Sequence, residues 1–306
     1  SSFFHIEDKN ILYMVNVIIF FALIGVINMA FLQAKLAFIF QVLISLISAV
    51  IKLVLGIAFV FSGYSVAGAA MAMIVAGVAS YIVSFAPLKF LFDKKIAAPS
   101  VKTKALFSYG LPSALTLFGM TSFISADIML VKHFFDPHQA GLYAGLSLIG
   151  RVIFFVSAPI GGVMFPVIVQ KHSRNENFTN TFKLSLLLVF VPSILITIFY
   201  ALFPKFFILF FLKREEYFAI SDLIAPFALF IALFSLLSIV ANFYLSIKKT
   251  KVFIPILIGA ILQSVLIFFY HETFAQIITI STIITLILVI MLLGYYPRAT
   301  RKVIKL

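Results

Sequence analysis

The sequence contains no cysteine and no tryptophan, and charged residues make up only 11% of its 306 residues. The absence of cysteine excludes disulfides, a thiolate nucleophile and any cysteine-based metal site. The absence of tryptophan leaves tyrosine, lysine and arginine to anchor the chain at a membrane surface. The charged share is less than half of that in soluble globular proteins, which argues against a water-soluble domain.

Most of the chain is apolar: 63% of the residues are hydrophobic, and mean hydropathy is +1.20. Apolar runs of about 20 residues are long enough to cross a bilayer as helices. Nine runs approach or exceed this length, at 11–31, 36–61, 66–91, 105–131, 140–169, 184–203, 219–245, 252–270 and 273–296. They are too many for a signal peptide, so the sequence predicts an all-α, polytopic membrane protein.

Lysine and arginine are distributed unevenly between the two sets of loops. Sixteen lie in one set, which includes the C-terminal tail, and five lie in the other. Because cytoplasmic loops are enriched in these residues, the C-terminus is predicted to be cytoplasmic. The net charge of +13 is explained in this way, and no nucleic-acid partner is predicted.

Nine spans with a cytoplasmic C-terminus would place the N-terminus outside, although no signal sequence precedes it. The chain also opens on Ser1, without methionine. Three further spans upstream would resolve both points, so we expect a fragment or a processed chain of a twelve-helix protein.

A polar linker at 92–104 separates three predicted spans in 1–91 from six in 105–306. Two similar segments, NMAFLQAKLAFIFQVL from Asn28 and NFYLSIKKTKVFIPIL from Asn242, each run from a span end through a short basic loop into a new span. Repeated lobes around a central site are common among secondary transporters. The sequence therefore predicts two pseudo-symmetric lobes, the first of them lacking its first three helices.

The segment 107–170 resembles the seventh and eighth helices of polysaccharide-biosynthesis flippases. These flippases belong to the multidrug/oligosaccharidyl-lipid/polysaccharide exporter superfamily. The features that carry the resemblance are GLP at 110–112, Ser125 with Asp127, AGLY at 140–143, and Pro159 followed by Phe165 and Pro166. GYSVAGAA at 63–70 is similar to the family's turn between its fifth and sixth helices.

The resemblance implies a transporter of the bacterial cytoplasmic membrane. Its substrate would be an oligosaccharide linked to an isoprenoid pyrophosphate, moved from the inner to the outer leaflet by alternating access for surface polysaccharide (O-antigen type) assembly. It implies membrane lipids, a polysaccharide polymerase and other assembly proteins as partners. H⁺ or Na⁺ is the candidate coupling ion, and no cofactor or metal is implied.

Two other functions stay open at this stage. One is a drug exporter of the same superfamily coupled to H⁺ or Na⁺, although such exporters favour acidic cavities. The other, more remote, is a membrane glycosyltransferase or ligase, which needs converging acids or histidines. All five histidines fall in predicted loops or in the first segment, and the sequence has no Asp-x-Asp pair.

Two cations lie deep inside predicted spans, where charge is costly and is often functional. Arg151 lies eleven residues from the outer end of its span, roughly 16 Å deep, and Lys52 lies nine residues in, roughly 13 Å deep. The functional interpretation is a cationic belt that clamps a pyrophosphate from both lobes, since the guanidinium fork suits phosphate. The alternatives are structural pairing or a side chain that reaches the membrane surface.

Asp127 lies four residues from the end of its run, roughly 6 Å from the outer surface. It could pair across helices, hold an outer gate or carry a coupling proton. Asp222, just after a predicted helix start, is more simply explained by the favourable helix dipole. The cluster Pro159, Gly161, Gly162 and Pro166 is a candidate hinge, with a plain kink as the alternative.

Overall fold

The computed structural model describes residues 9–88 and 103–300, and these residues form helices joined by short turns, with no strand among them. The chain divides into two compact units, residues 1–100 and 101–306. The predicted linker at 92–104 lies mostly outside the described residues. Each unit has its own set of packed helices and is described separately.

The first unit contains three helices: α1 (Lys9–Ala34), α2 (Phe38–Phe59) and α3 (Ser65–Ser84). A π-helical turn at Val60–Tyr64 joins α2 to α3, and Gly63 there has a φ of 92°, which glycine adopts readily. Two side-chain hydrogen bonds connect the helices: Asn28 Nδ2 donates to the buried Ser84 Oγ at 2.7 Å, and Gln41 Nε2 donates to the Met29 carbonyl at 2.9 Å.

The second unit begins with α4 (Thr103–Phe123), α5 (Ala126–Phe134), α6 (Pro137–Ser173), α7 (Thr179–Leu202) and α8 (Pro204–Leu212). A 3-10 helix at Glu215–Leu223 leads into α9 (Ile224–Ser246), and a second at Thr250–Val252 leads into α10 (Phe253–Phe269). The last helix is α11 (Phe274–Thr300). Asp136 caps α6 by accepting from the backbone N–H groups of His138 and Gln139, and Pro137 fills the first helical position.

Helix α9 is the centre of the second unit. It is apolar on every side and packs against α6, α7 and α11, as expected of a helix with no polar face. Close approach to α6 requires glycine: a Cβ on Gly150 would lie 2.3 Å from Phe227 Cδ1. The small residue therefore sets the distance between the two helices that form the core.

Seven helical segments are long and apolar enough to cross a membrane, or eight if the bent pair α4–α5 counts as one span. One of these segments, Phe38–Leu88, contains two helices, α2 and α3, because the backbone leaves helical geometry at Gly63 and the two helices pack against each other. Counting α2 and α3 separately, as the sequence prediction did with 36–61 and 66–91, accounts for the ninth predicted span. The all-α, polytopic prediction is confirmed.

Helices α1 and α9 end in the same cap. Leu36 and Lys248 both have a positive φ, 57° and 58°. In each cap the following amide reaches back five residues, from Ala37 to Leu32 and from Lys249 to Tyr244, at 2.9 Å in both cases, which is the Schellman arrangement. This geometry matches Leu36 with Lys248, two residues away from the register that pairs Asn28 with Asn242.

The cluster Pro159, Gly161, Gly162 and Pro166 lies inside α6, which stays one helix of 37 residues through both prolines. The cluster therefore does not interrupt the helix. A hinge at this place would be a motion of the molecule, and it stays a prediction.

Candidate functional site

The break between α4 and α5 is the feature around which the polar side chains of the second unit gather. The two helices meet at 42°, with Ile124 and Ser125 between them. A break inside a membrane span leaves backbone carbonyls without their usual helical donors, and each such group is costly in lipid unless another donor is found.

Two side chains from other helices supply those donors. Gln263 of α10 donates through Nε2 to the Phe123 carbonyl at 3.2 Å, and Arg151 of α6 donates through Nη2 to the Ile124 carbonyl. Gln263 Nε2 also donates to Ser281 Oγ at 2.8 Å, which ties α11 into the network. The break is therefore held by hydrogen bonds from helices that pack around it.

Asp127 lies in the first turn of α5 and is 1% exposed. Tyr143 Oη of α6 donates to its Oδ2 at 2.9 Å, and the Ile128 amide donates to its Oδ1 at 2.8 Å. None of the described cationic side chains forms an ion pair with it at 4.0 Å or less. Its position at the start of a helix also favours a negative charge.

The burial of Asp127 could not be read from its distance to the end of the span. Counting residues gives position along the helix axis, whereas burial depends on which neighbour covers that face. The pairing across helices that the sequence left open is present, with Tyr143 as the partner.

Tyr143, Ser147 and Arg151 form one stripe along α6, since residues four apart share a helix face. Arg151 is half-buried. Arg151 Nε and Ser147 Oγ are buried and have no hydrogen-bond partner within the described part of the chain. The stripe therefore retains capacity to bind an acceptor while Arg151 also supports the break.

Lys52 belongs to the first unit, where it is exposed and lines a cavity of about 500 Å³. Other polar side chains line the same cavity: Gln33, Ser48, Ser80, Tyr81 and Ser84. Lys52 and Arg151 lie in different units, so their joint contact with a diphosphate stays a prediction.

Sequence reasoning missed Tyr143 and Gln263 as members of the network. Tyr143 was noted only within the AGLY motif. Gln263 is a lone amide in an apolar run, which is itself a signal, because a buried amide in lipid needs hydrogen-bond partners.

Within the described residues no cluster of three or more His, Asp or Glu side chains could hold a metal ion.

The network offers two chemical functions. A buried carboxylate hydrogen-bonded to a phenol can gain or lose a proton without losing its partner, because the hydroxyl can donate or accept. A guanidinium with a free donor can bind an anionic oxygen, and a planar fork suits phosphate.

Comparison with known proteins shows the family of the sequence. The sequence matches the family described as "Polysaccharide biosynthesis protein" over residues 1–217, which is more than half of the chain. No curated protein matches the sequence.

Solved structures share the fold at low sequence identity. A MATE in complex with MaL6 matches with a TM-score of 0.68 at 15% identity, over 85% of this chain and 63% of that one. An outward-facing multidrug resistance MATE family transporter of the MOP superfamily matches with a TM-score of 0.64 at 15% identity, over 84% and 62%. An inward-facing structure described in the same terms matches with a TM-score of 0.59 at 16% identity, over 85% and 64%.

This chain thus spans about 63% of the length of the solved structures it matches. Their identity is low enough that they bear on the fold alone, whereas the family match covers both the first unit and the α4–α6 site of the second. The chain belongs to the polysaccharide biosynthesis protein family and has the fold of the MATE transporters.

Proposed function

We propose that this chain acts in a transporter that moves an oligosaccharide linked to an isoprenoid pyrophosphate across the bacterial cytoplasmic membrane. The match to the polysaccharide biosynthesis family over residues 1–217 carries the proposal. The transporter fold supports it, because MATE transporters move substrates across membranes. The repeat unit delivered to the outer leaflet would then pass to a polymerase for surface polysaccharide assembly.

Arg151 is the proposed contact for the pyrophosphate. Its Nη2 supports the Ile124 carbonyl, and its buried Nε has no partner among the described residues. A phosphate oxygen is a strong acceptor for such a donor. Lys52 of the first unit is the second proposed contact, from its own cavity.

The test compares Arg151→Ala, Arg151→Lys, Lys52→Ala and Arg174→Ala, each made in the protein encoded by the complete reading frame and expressed in a host whose own copy is deleted. Arg174 is a matched control, since it is an exposed arginine whose only described ion pair is with Glu176. Loss of a charge-assisted hydrogen bond, worth about 1.5–3 kcal/mol, predicts a ten- to hundredfold slower translocation for Arg151→Ala. Arg151→Lys should fall between wild type and Arg151→Ala.

Translocation is measured with labelled lipid-linked oligosaccharide in inverted vesicles, after the amount of protein has been equalised. Unchanged rates in both Arg151→Ala and Lys52→Ala would contradict the proposal. So would an equal loss in Arg174→Ala, because that result would report a general effect of charge.

Asp127 is the proposed carrier of the coupling ion, with a proton favoured over Na⁺. Its two oxygens already accept from Tyr143 and from the Ile128 amide, which leaves little room for a metal ion's shell of several oxygen ligands. In the same vesicles, Asp127→Asn should lose the response to an imposed pH gradient, whereas Tyr143→Phe should retain part of it. A response of Asp127→Asn equal to that of wild type would refute the assignment.

Drug export is the second candidate, because the solved structures with this fold include multidrug transporters. If the protein is a drug exporter, its deletion should lower resistance to cationic drugs and leave surface polysaccharide unchanged. If it is a polysaccharide flippase, its deletion should have the opposite two effects.

The predicted orientation places Lys248 in the cytoplasm and Lys213 outside. It is tested by thiol labelling of single cysteines introduced at these two positions, since the sequence has no cysteine of its own.

A further inference from the structure

A cavity of about 670 Å³ opens in the second unit where α9 ends, α10 begins and α11 passes. Three lysines of the connection between α9 and α10 line it: Lys248, Lys249 and Lys251. None of the three forms an ion pair or a side-chain hydrogen bond with another described residue. The cavity thus gathers three positive charges that the described part of the chain leaves uncompensated.

The cavity also has an apolar wall. Val252, Pro255, Met291 and Leu292 line it, and the neighbouring Tyr295 is 47% exposed. Met291 is also exposed, at 46%, on a helix that is apolar enough to cross the membrane. The cavity therefore combines three lysines with apolar side chains, and two of its lining residues, Met291 and Tyr295, are also exposed on α11.

Helix capping does not require these charges. Lys248 has a positive φ of 58° at the end of α9, where glycine is the favoured residue. Leu36 occupies the same cap position at the end of α1, with a φ of 57°. An apolar side chain thus satisfies the same geometry, and the lysine adds a charge that the cap does not need.

We propose that this cavity binds the headgroup of an anionic phospholipid, with the phosphate on Lys248, Lys249 and Lys251 and an acyl chain along Met291. Basic pockets between membrane helices are known sites for anionic headgroups. The apolar wall distinguishes a lipid from a free anion, which would contact the lysines alone. The three lysines belong to the loop set that the sequence assigns to the cytoplasmic side, where anionic lipids are enriched.

The experiment measures lipid binding to the purified complete protein by native mass spectrometry and by thermal shift. The probes are phosphatidylglycerol, phosphatidylcholine and inorganic phosphate. Wild type should bind and be stabilised by phosphatidylglycerol only. Each lysine replaced by glutamine is expected to weaken phosphatidylglycerol binding about fivefold.

The matched control is a triple replacement, K132Q/K205Q/K213Q, which removes the same charge from lysines that the sequence assigns to the opposite side of the membrane. It should bind phosphatidylglycerol as wild type does, whereas K248Q/K249Q/K251Q should not. Lys248→Gly is a second variant that keeps the fold, because glycine relieves the positive φ. It should be at least as stable as wild type and bind phosphatidylglycerol more weakly.

Three results would overturn the proposal. The first is equal binding by wild type and K248Q/K249Q/K251Q. The second is an equal loss in the K132Q/K205Q/K213Q control. The third is competition by millimolar inorganic phosphate, which would identify the ligand as a free anion. None of these results depends on the transported substrate, so this test is independent of the proposed function.

Discussion

At the scale of single residues, two glycines of α6 differ in what a methyl group would meet. A Cβ on Gly150 would lie 2.3 Å from Phe227 Cδ1 in the core, whereas a Cβ on Gly141 would have nothing within 4 Å. Gly150 is therefore required by packing between α6 and α9, and Gly141 is not.

We expect Gly150→Ala to destabilise the protein by about 1–3 kcal/mol, because overpacking forces neighbours out of place. Gly141→Ala should stabilise it by up to about 1 kcal/mol, because alanine is the better helix former. Thermal unfolding of the purified proteins in one detergent measures both. Equal melting temperatures would show that α9 moves aside at no cost.

Individual residues also show what the sequence could and could not predict. Arg151 and Asp127 were identified because a charge in an apolar run is visible in one dimension. Their partners were not, because the Ile124 carbonyl reaches Arg151 from the break between α4 and α5, and the Tyr143 hydroxyl reaches Asp127 from α6. The Ile124 carbonyl lies at the break between α4 and α5, and the sequence does not mark where that break falls.

At the scale of helices, the bent pair α4–α5 depends on donors from its neighbours. Gln263 is fully buried and bridges the Phe123 carbonyl and Ser281. It therefore connects three elements through one side chain.

Gln263→Met keeps the volume of the side chain and removes its donors. It leaves a buried carbonyl unsatisfied, which costs about 1–3 kcal/mol. Ser264→Ala is the neighbouring control, since its hydroxyl bonds only the Ala260 carbonyl of its own helix and should be nearly neutral. Thermal unfolding distinguishes them, and equal stability of the two variants would show that the break needs no support from α10.

Helix prediction succeeded where apolar runs are long and failed where they are short. Helix α8 (Pro204–Leu212) was not predicted, because nine residues are too few to cross a bilayer. The run 36–61 was predicted correctly as helical. The two segments that start at Asn28 and Asn242 both contain the same helix cap, at Leu36 and Lys248, and the repeat itself stays a prediction.

At the scale of the whole molecule, hydropathy alone predicted the fold class. A chain that is 63% hydrophobic can form the hydrogen bonds of its backbone N–H and C=O groups within lipid in few ways, and α-helices are the main one. The family came from an ordered set of motifs, GLP, AGLY and the spaced prolines, and it is confirmed. These motifs do not identify the substrate, because proteins of one fold bind different substrates through the different side chains of their cavities.

The unequal lengths of α6 and α10 have a consequence for how the molecule responds to its membrane. Helix α6, with 37 residues, is about 55 Å long. Helix α10 and the 3-10 turn before it together reach only about 30 Å, the thickness of the hydrocarbon layer. Hydrophobic mismatch in a thicker bilayer will act first on α10. Since α10 carries Gln263, the hydrogen bond at the helix break is the one most exposed to bilayer thickness.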